Sequence, residues 1–127
     1  MKKKITTAGA PAAIGPYSQG ISIDRLIFAS GQIPLDPATG EFPPGDFQTL
    51  VRRSLQNLKN VLEAGGASLD TVVKTTCFLT DMNDFAAFNE IYLEFFTGDT
   101  PPARSCIAAA GLPKGAPVEV EAVAYMK

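Results

Sequence analysis

The sequence predicts an α+β domain: a sheet carrying two helices on one of its faces. Three observations lead there. Two stretches, beginning near Asp46 and Asn83, repeat apolar residues at helical spacing. Short runs rich in β-branched or alternating residues precede, separate and follow them, and segments dense in Gly and Pro punctuate the order. At 127 residues the chain reads as one domain, 1–127, long enough for a hydrophobic core and too short for two.

Taken in order, "APAAIGPYSQG" reads as an irregular entry strand, broken by Pro11 and Pro16. "GISIDRLIFASGQI" is two short apolar runs around Asp24-Arg25, a hairpin. "PLDPATGEFPPGD" is a loop, too rich in Pro and Gly to hold regular structure for long. Asp46 then suits an N-cap, Phe47, Val51, Leu55, Leu58 and Leu62 recur on one helical face, and Gly65-Gly66 supplies the stop. "TVVKTTCFL" has the β-branched content of a strand. In "NDFAAFNEIYLEFF", Phe85, Phe88, Tyr92 and Phe96 share a face opposite Glu90 and Glu94, and Gly98 is expected to end that helix. Pro101-Pro102 forces an extended start to "ARSCIAAA", and "VEVEAVAY" closes the chain, giving the order β-β-α-β-α-β-β.

Composition narrows the function classes. Apolar residues at 46% exceed what so small a domain hides easily, which points to a subunit interface. A net charge of −2, with no basic run beyond Lys2–Lys4, disfavours a nucleic-acid partner. Those lysines are followed by no apolar stretch of a secretory leader, and no run reaches membrane-spanning length. Cys77 and Cys106 permit one disulfide, but nothing marks the chain as secreted, so free thiols in a reducing cytoplasm are expected. With no histidine anywhere, Ser-His-Asp triads, HExxH zinc sites and histidine acid–base pairs are excluded. Two dispersed cysteines and scattered carboxylates offer no metal site, so neither metal nor organic cofactor is expected. Proton transfer falls to Asp, Glu, Tyr, Lys, Cys or water.

Several polar residues sit inside apolar runs. In an extended segment Arg104 and Cys106 point to one face, their Cα atoms about 6–7 Å apart. An arginine there can hold a carboxylate through two parallel hydrogen bonds, or simply make an ion pair at a solvated strand end. Cys106 reads equally as a small buried hydrophobe. Glu119 and Glu121 share a face of the last strand; a buried glutamate would have a raised pKa and could relay a proton near neutral pH. Asn89, one turn after Phe85, can satisfy a backbone group or bind a ligand. Gly31, in "ASGQIP", follows a strand where a missing Cβ lets a ligand approach, and Tyr17 in "GPYSQG" suits a pocket lining.

Together, "GPYSQG", "ASGQIPLDPATGE", "NLKNVLEAGGASLDTVVKTTCFLTDMNDFAAFNEIY" and "PPARSCIAAAGLPKGAPVEVEAVAY" resemble the RidA/YjgF family over nearly the whole chain. The resemblance implies a bacillus-type chorismate-mutase-like fold with a mixed sheet, assembled as a homotrimer with three clefts between subunits. It implies hydrolysis of reactive 2-enamine/2-imine acids to 2-keto acids and ammonia. The arginine at position 104 would bind the substrate carboxylate. Tyr17, Ser30, Gly31, Asn89, Cys106 and Glu119 carry the residue types of the family's cleft. One departure is Arg53, near a place where relatives often have glutamine; an altered surface is the expected effect.

The catalytic set expected on this basis is Arg104, Glu119 and Cys106. Arg104 anchors the carboxylate, Glu119 orients water and shuttles protons, and Cys106 acts as cleft wall and backbone donor beside Gly31. Tyr17, Ser30 and Asn89 shape the pocket. Two rival readings accompany it: an endoribonuclease or translation inhibitor, and a non-catalytic module that binds 2-keto acids or responds to redox change through its thiols.

Overall fold

The computed structural model describes residues 1–127. Its elements run β1 (Lys3–Ile5), β2 (Gly20–Ile23), β3 (Leu26–Gln32), α1 (Phe47–Ala64), β4 (Val72–Leu79), α2 (Phe85–Phe95), β5 (Ala103–Ala108) and β6 (Val118–Tyr125). One mixed sheet forms in the order β1-β2-β3-β6-β4-β5, with β4–β5 as its parallel pair. That pair is parallel because α2 carries the chain back across the sheet between the two strands. The predicted α+β class, with two helices over one face, is observed.

Helix α1 starts where Asp46 accepts hydrogen bonds from the Thr49 amide and hydroxyl, each 2.9 Å. Those bonds hold the Asp46 carboxyl below its ordinary pKa. Val51, Leu55, Leu58 and Leu62 are fully buried against the sheet, on which Ile27, Val118, Val120 and Ala124 are likewise buried. Each such side chain contributes roughly 1.5–3 kcal/mol on leaving water. The helix stops at Gly65-Gly66, and Gly66 takes the left-handed φ of +91° that a side chain resists.

Three expectations need correction. The N-terminal strand lies at Lys3–Ile5, whereas "APAAIGPYSQG" forms no strand before Gly20 opens β2. Two prolines within a few residues deny that stretch a ladder, and the side chain of Gln19 holds it instead. The Gln19 amide donates to the carbonyls of Thr7, Ala10 and Pro11, and its oxygen accepts from the Thr7 amide. Second, α2 ends before Gly98: Phe96 leaves helical conformation (φ −110°, ψ 83°) and stacks on Tyr92 with centroids 4.5 Å apart. Third, Gly31 lies within β3, not beyond it, at an irregularity in the pairing with β6 between Ala29 and Gln32.

The other face of the sheet carries no helix. Phe28, Val73, Ile107 and Tyr125 stand on the surface, each more than 40% exposed. No helix is long and apolar enough to cross a membrane.

Candidate active site

The sequence-predicted residues gather in two clusters on opposite faces of the sheet. Strand alternation dictates the split. In β6, Val118, Val120 and Ala122 point into the core under the helices, so Glu119 and Glu121 point the other way. In β5, Arg104 and Cys106 lie level with Thr75 and Cys77 of β4, both fully buried on the helix side. Within one chain, Arg104 and Cys106 therefore face α2 while Glu119 faces away from it.

The first cluster surrounds Arg104 on the edge strand β5. Its Nη1 donates to Asn89 Oδ1 at 2.7 Å. The guanidinium carbon stands 4.8 Å from the centroid of the Tyr92 ring and 5.3 Å from that of Phe85. Phe85, Asn89 and Tyr92 fall at i, i+4 and i+7 of α2, so one helix stripe presents two aromatic faces and an amide to one cation. The ion pairs of the chain are Arg52–Glu94 and Lys59–Glu63; Arg104 has none. Within its own chain Arg104 therefore serves no ion pair. Cys106, half-buried on the same side, has its thiol pKa pushed up by burial, partly offset by the Arg104 charge. Cys77 is buried beside it and its thiol is pushed up to about 12 by the same cause. Both are free thiols, held in the neutral form at pH 7, which disfavours nucleophilic chemistry.

The second cluster lines a cavity of about 560 Å³ containing Tyr17, Ser30, Gly31 and Glu119, with Pro11, Ile14 and Lys114. Glu119 is half-buried there. Burial, and then repulsion from Glu121, raise its carboxyl above the ordinary value. Gly31 is where it is for space rather than for backbone conformation. A Cβ at that position would stand 2.8 Å from the Glu119 carboxyl carbon and collide with its oxygen. The absent side chain thus makes room for Glu119 itself, a use different from the expected backbone approach by ligand. The Ser30 hydroxyl donates to the Ser18 carbonyl, and the Ser30 amide to the Gln19 carbonyl at 2.9 Å. Ser30 therefore ties the loop that carries Tyr17 to β3.

Asn57 of α1 shapes the far wall. Buried completely, it donates to the carbonyls of Ile33 and Leu35, both on the cavity lining, and accepts two bonds from Arg53 at 3.0 and 2.7 Å. Arg53 is thus joined through Asn57 to the cavity wall and is more than an altered surface. No group of three or more Cys, Asp or Glu side chains is placed to hold a metal ion.

Sequence reasoning missed Phe85 and Tyr92 as neighbours of Arg104, and Lys114 as a cavity residue. The first two were legible only as core aromatics. Lys114 sits in a short turn, in left-handed conformation (φ 57°), with no flanking pattern to mark it.

Residues 7–126 match the family model described as Endoribonuclease L-PSP. The 2-iminobutanoate/2-iminopropanoate deaminase of Escherichia coli K12 is 50% identical, with 100% of each chain covered. The mouse protein of the same name is 48% identical, covering 98% of this chain and 91% of its own. Among solved structures, E. coli TdcF with bound serine superposes with a TM-score of 0.93 at 47% identity, covering 98% of this chain and 99% of its own. The YjgF gene product of E. coli gives 0.93 at 48%, covering 98% and 99%.

Proposed function

This chain belongs to the RidA/YjgF family, and on that premise we propose that it is a deaminase that hydrolyses reactive 2-imino acids, 2-iminopropanoate and 2-iminobutanoate, to the 2-keto acids and ammonia. The observation that carries the proposal is the state of Arg104. A half-buried guanidinium is held by an amide and two aromatic faces, with no carboxylate of its own chain paired to it. Such a cation is left for an anion from outside, and its free edge matches a carboxylate. Serine, bound to the relative TdcF, is a small acid of that kind.

Arg104 anchors the substrate carboxylate and fixes the C=N carbon. Glu119, in its ionised form, takes a proton from water as the oxygen bonds to that carbon and the C=N π electrons move to nitrogen. The protonated Glu119 returns that proton to nitrogen, giving the carbinolamine; it then takes the hydroxyl proton and passes it to the amine, so that ammonia leaves as the C–N bond breaks and the C=O bond of the keto acid forms. Backbone groups at Gly31 and Cys106 contact the reacting end, Tyr17 and Ser30 line it, and Asn89 holds Arg104. Imines of this kind hydrolyse unaided in water, so positioning and one proton relay suffice, with no cofactor.

Because Arg104 and Glu119 lie on opposite faces of the sheet, one chain cannot present both to one substrate. We assign the cleft to neighbouring subunits of a homotrimer with the chorismate-mutase-like arrangement: one gives Arg104, Asn89 and Cys106, the next Tyr17, Ser30, Gly31 and Glu119. The uncovered apolar face with Phe28, Val73, Ile107 and Tyr125 supports such an assembly. Cytoplasmic residence, alongside the pyridoxal-phosphate dehydratases that release these imines, completes the reading.

The test is keto-acid release from 2-aminoacrylate or 2-aminocrotonate generated in situ by a dehydratase. Wild type should accelerate it and Arg104→Ala should not, with the assembly intact. No acceleration by folded wild type refutes the deaminase; RNA cleavage or keto-acid binding without turnover would then separate the two rivals.

A further inference from the structure

We propose that Tyr92 is a positioning residue for Arg104: its ring fixes the plane of the guanidinium and thereby sets the enzyme's affinity for the carboxylate of its substrate. The inference rests on the carboxylate-anchor reading of Arg104.

The bond to Asn89 holds one N–H of the guanidinium but leaves the group free to swing about that contact. A ring face 4.8 Å from the guanidinium carbon removes that freedom, provided the ring itself cannot move. Tyr92 is held from three sides. Its hydroxyl shares a 2.7 Å hydrogen bond with the hydroxyl of Thr75, a fully buried residue. Its ring stacks on Phe96 at 4.5 Å and meets Phe88 at 5.7 Å in a tilted pair. Phe88 is fully buried and Phe96 nearly so.

The register completes the device. Thr75 of β4 is the direct partner of Arg104 across the parallel pair. The strand that carries the cation and the strand that pins the ring are therefore bonded neighbours, and ring and cation stay in phase. Phe85, the other aromatic, is only half-buried at the first residue of α2 and has no polar tether. Of the two rings, Tyr92 is the rigid one.

Tyr92 meets no reacting atom in this arrangement. Its effect must appear in binding, not in the chemical step. Wild type, Tyr92→Phe, Tyr92→Leu, Tyr92→Met and Arg104→Ala are compared by calorimetric binding of 2-oxobutanoate, and by kcat and KM with the imine generated in situ. Tyr92→Leu and Tyr92→Met, which remove the π face, are expected to raise Kd and KM about tenfold with kcat within about twofold. Tyr92→Phe keeps the ring and should stay within about threefold of wild type in both. The methionine fills the core without a ring, so it carries the test if the leucine variant fails to fold.

Wild-type Kd in either folded ring-less variant, or a fall in kcat at unchanged KM, overturns the role of Tyr92. Loss of binding in Arg104→Ala together with its retention in Tyr92→Leu overturns this inference alone. Binding that survives Arg104→Ala overturns the anchor and this inference with it.

Discussion

Arg104→Ala and Glu119→Gln, each inactive alone, are expected to recover activity when unfolded together in equal amounts and reassembled. The expectation follows from strand parity. Arg104 lies level with buried Thr75 on the helix side, whereas Glu119 alternates with buried Val118 and Val120 and faces away. Each cleft therefore draws the two groups from different chains. In a random ring, a position supplies an intact Arg104 half the time and its neighbour an intact Glu119 half the time. About a quarter of the clefts are then complete, and activity should reach about a quarter of wild type whatever the ring size. The assay is keto-acid release per total subunit, with differently tagged chains to verify mixing. A verified mixture no more active than the mean of its parents refutes the division of the cleft between subunits.

Other substitutions probe single links. Arg104→Lys keeps the charge but loses the parallel second hydrogen bond, so kcat/KM should fall about 10–100-fold, one charge-assisted bond being worth about 1.5–3 kcal/mol; unchanged kcat/KM would refute two-point anchoring. Glu119 works as a base when ionised, and its carboxyl is raised by burial and by Glu121. Activity should accordingly fall as pH drops through a value above the ordinary 4.5, and Glu121→Gln, which removes the like charge, should move that limb to lower pH. A limb that stays put or rises counts against Glu119 as the base. Gly31→Ala should displace the Glu119 carboxylate, lowering kcat about tenfold or more at a stability cost of about 1–3 kcal/mol; wild-type kcat in that variant would show the space to be idle. Leu58→Ala, in the fully buried stripe of α1, should cost about 2–5 kcal/mol in denaturant unfolding at fixed protein concentration.

The helices, the hairpin and strands β4, β5 and β6 were legible because each repeats its pattern long enough to show a period. The spacing of Val51, Leu55, Leu58 and Leu62 admits little else, and Asp46 and Gly66 bracket it chemically. Strand β1 was not legible: three residues of which only Ile5 is buried display no alternation. The end of α2 was misread at Gly98 because Phe96, anchored on Tyr92, departs from the helix first.

For the site, facing within one strand could be read: Arg104 with Cys106, Glu119 with Glu121. Facing between strands could not, since it depends on register, which is a tertiary property. The same limit hid Tyr92, whose approach to Arg104 depends on α2 crossing from β4 to β5. The bulge at Ser30–Gly31 also escaped notice, because "ASGQIP" looks like a strand running out into a loop.

The Gln19 side chain has a consequence for motion. It is nearly fully buried and supplies four hydrogen bonds to the segment that leads to Tyr17, which has no ladder of its own. That segment can open as a unit while the sheet and α1 stay closed, at a free energy set by the four bonds of the Gln19 amide together with those of Asn60 to Gly9 and Ser30 to Ser18. Under hydrogen exchange the Thr7 amide, which donates to Gln19, should exchange long before the amides of β3 and β6. Gln19→Leu should speed its exchange while leaving theirs unchanged. The Tyr17 wall would then breathe on its own time scale, independently of global unfolding.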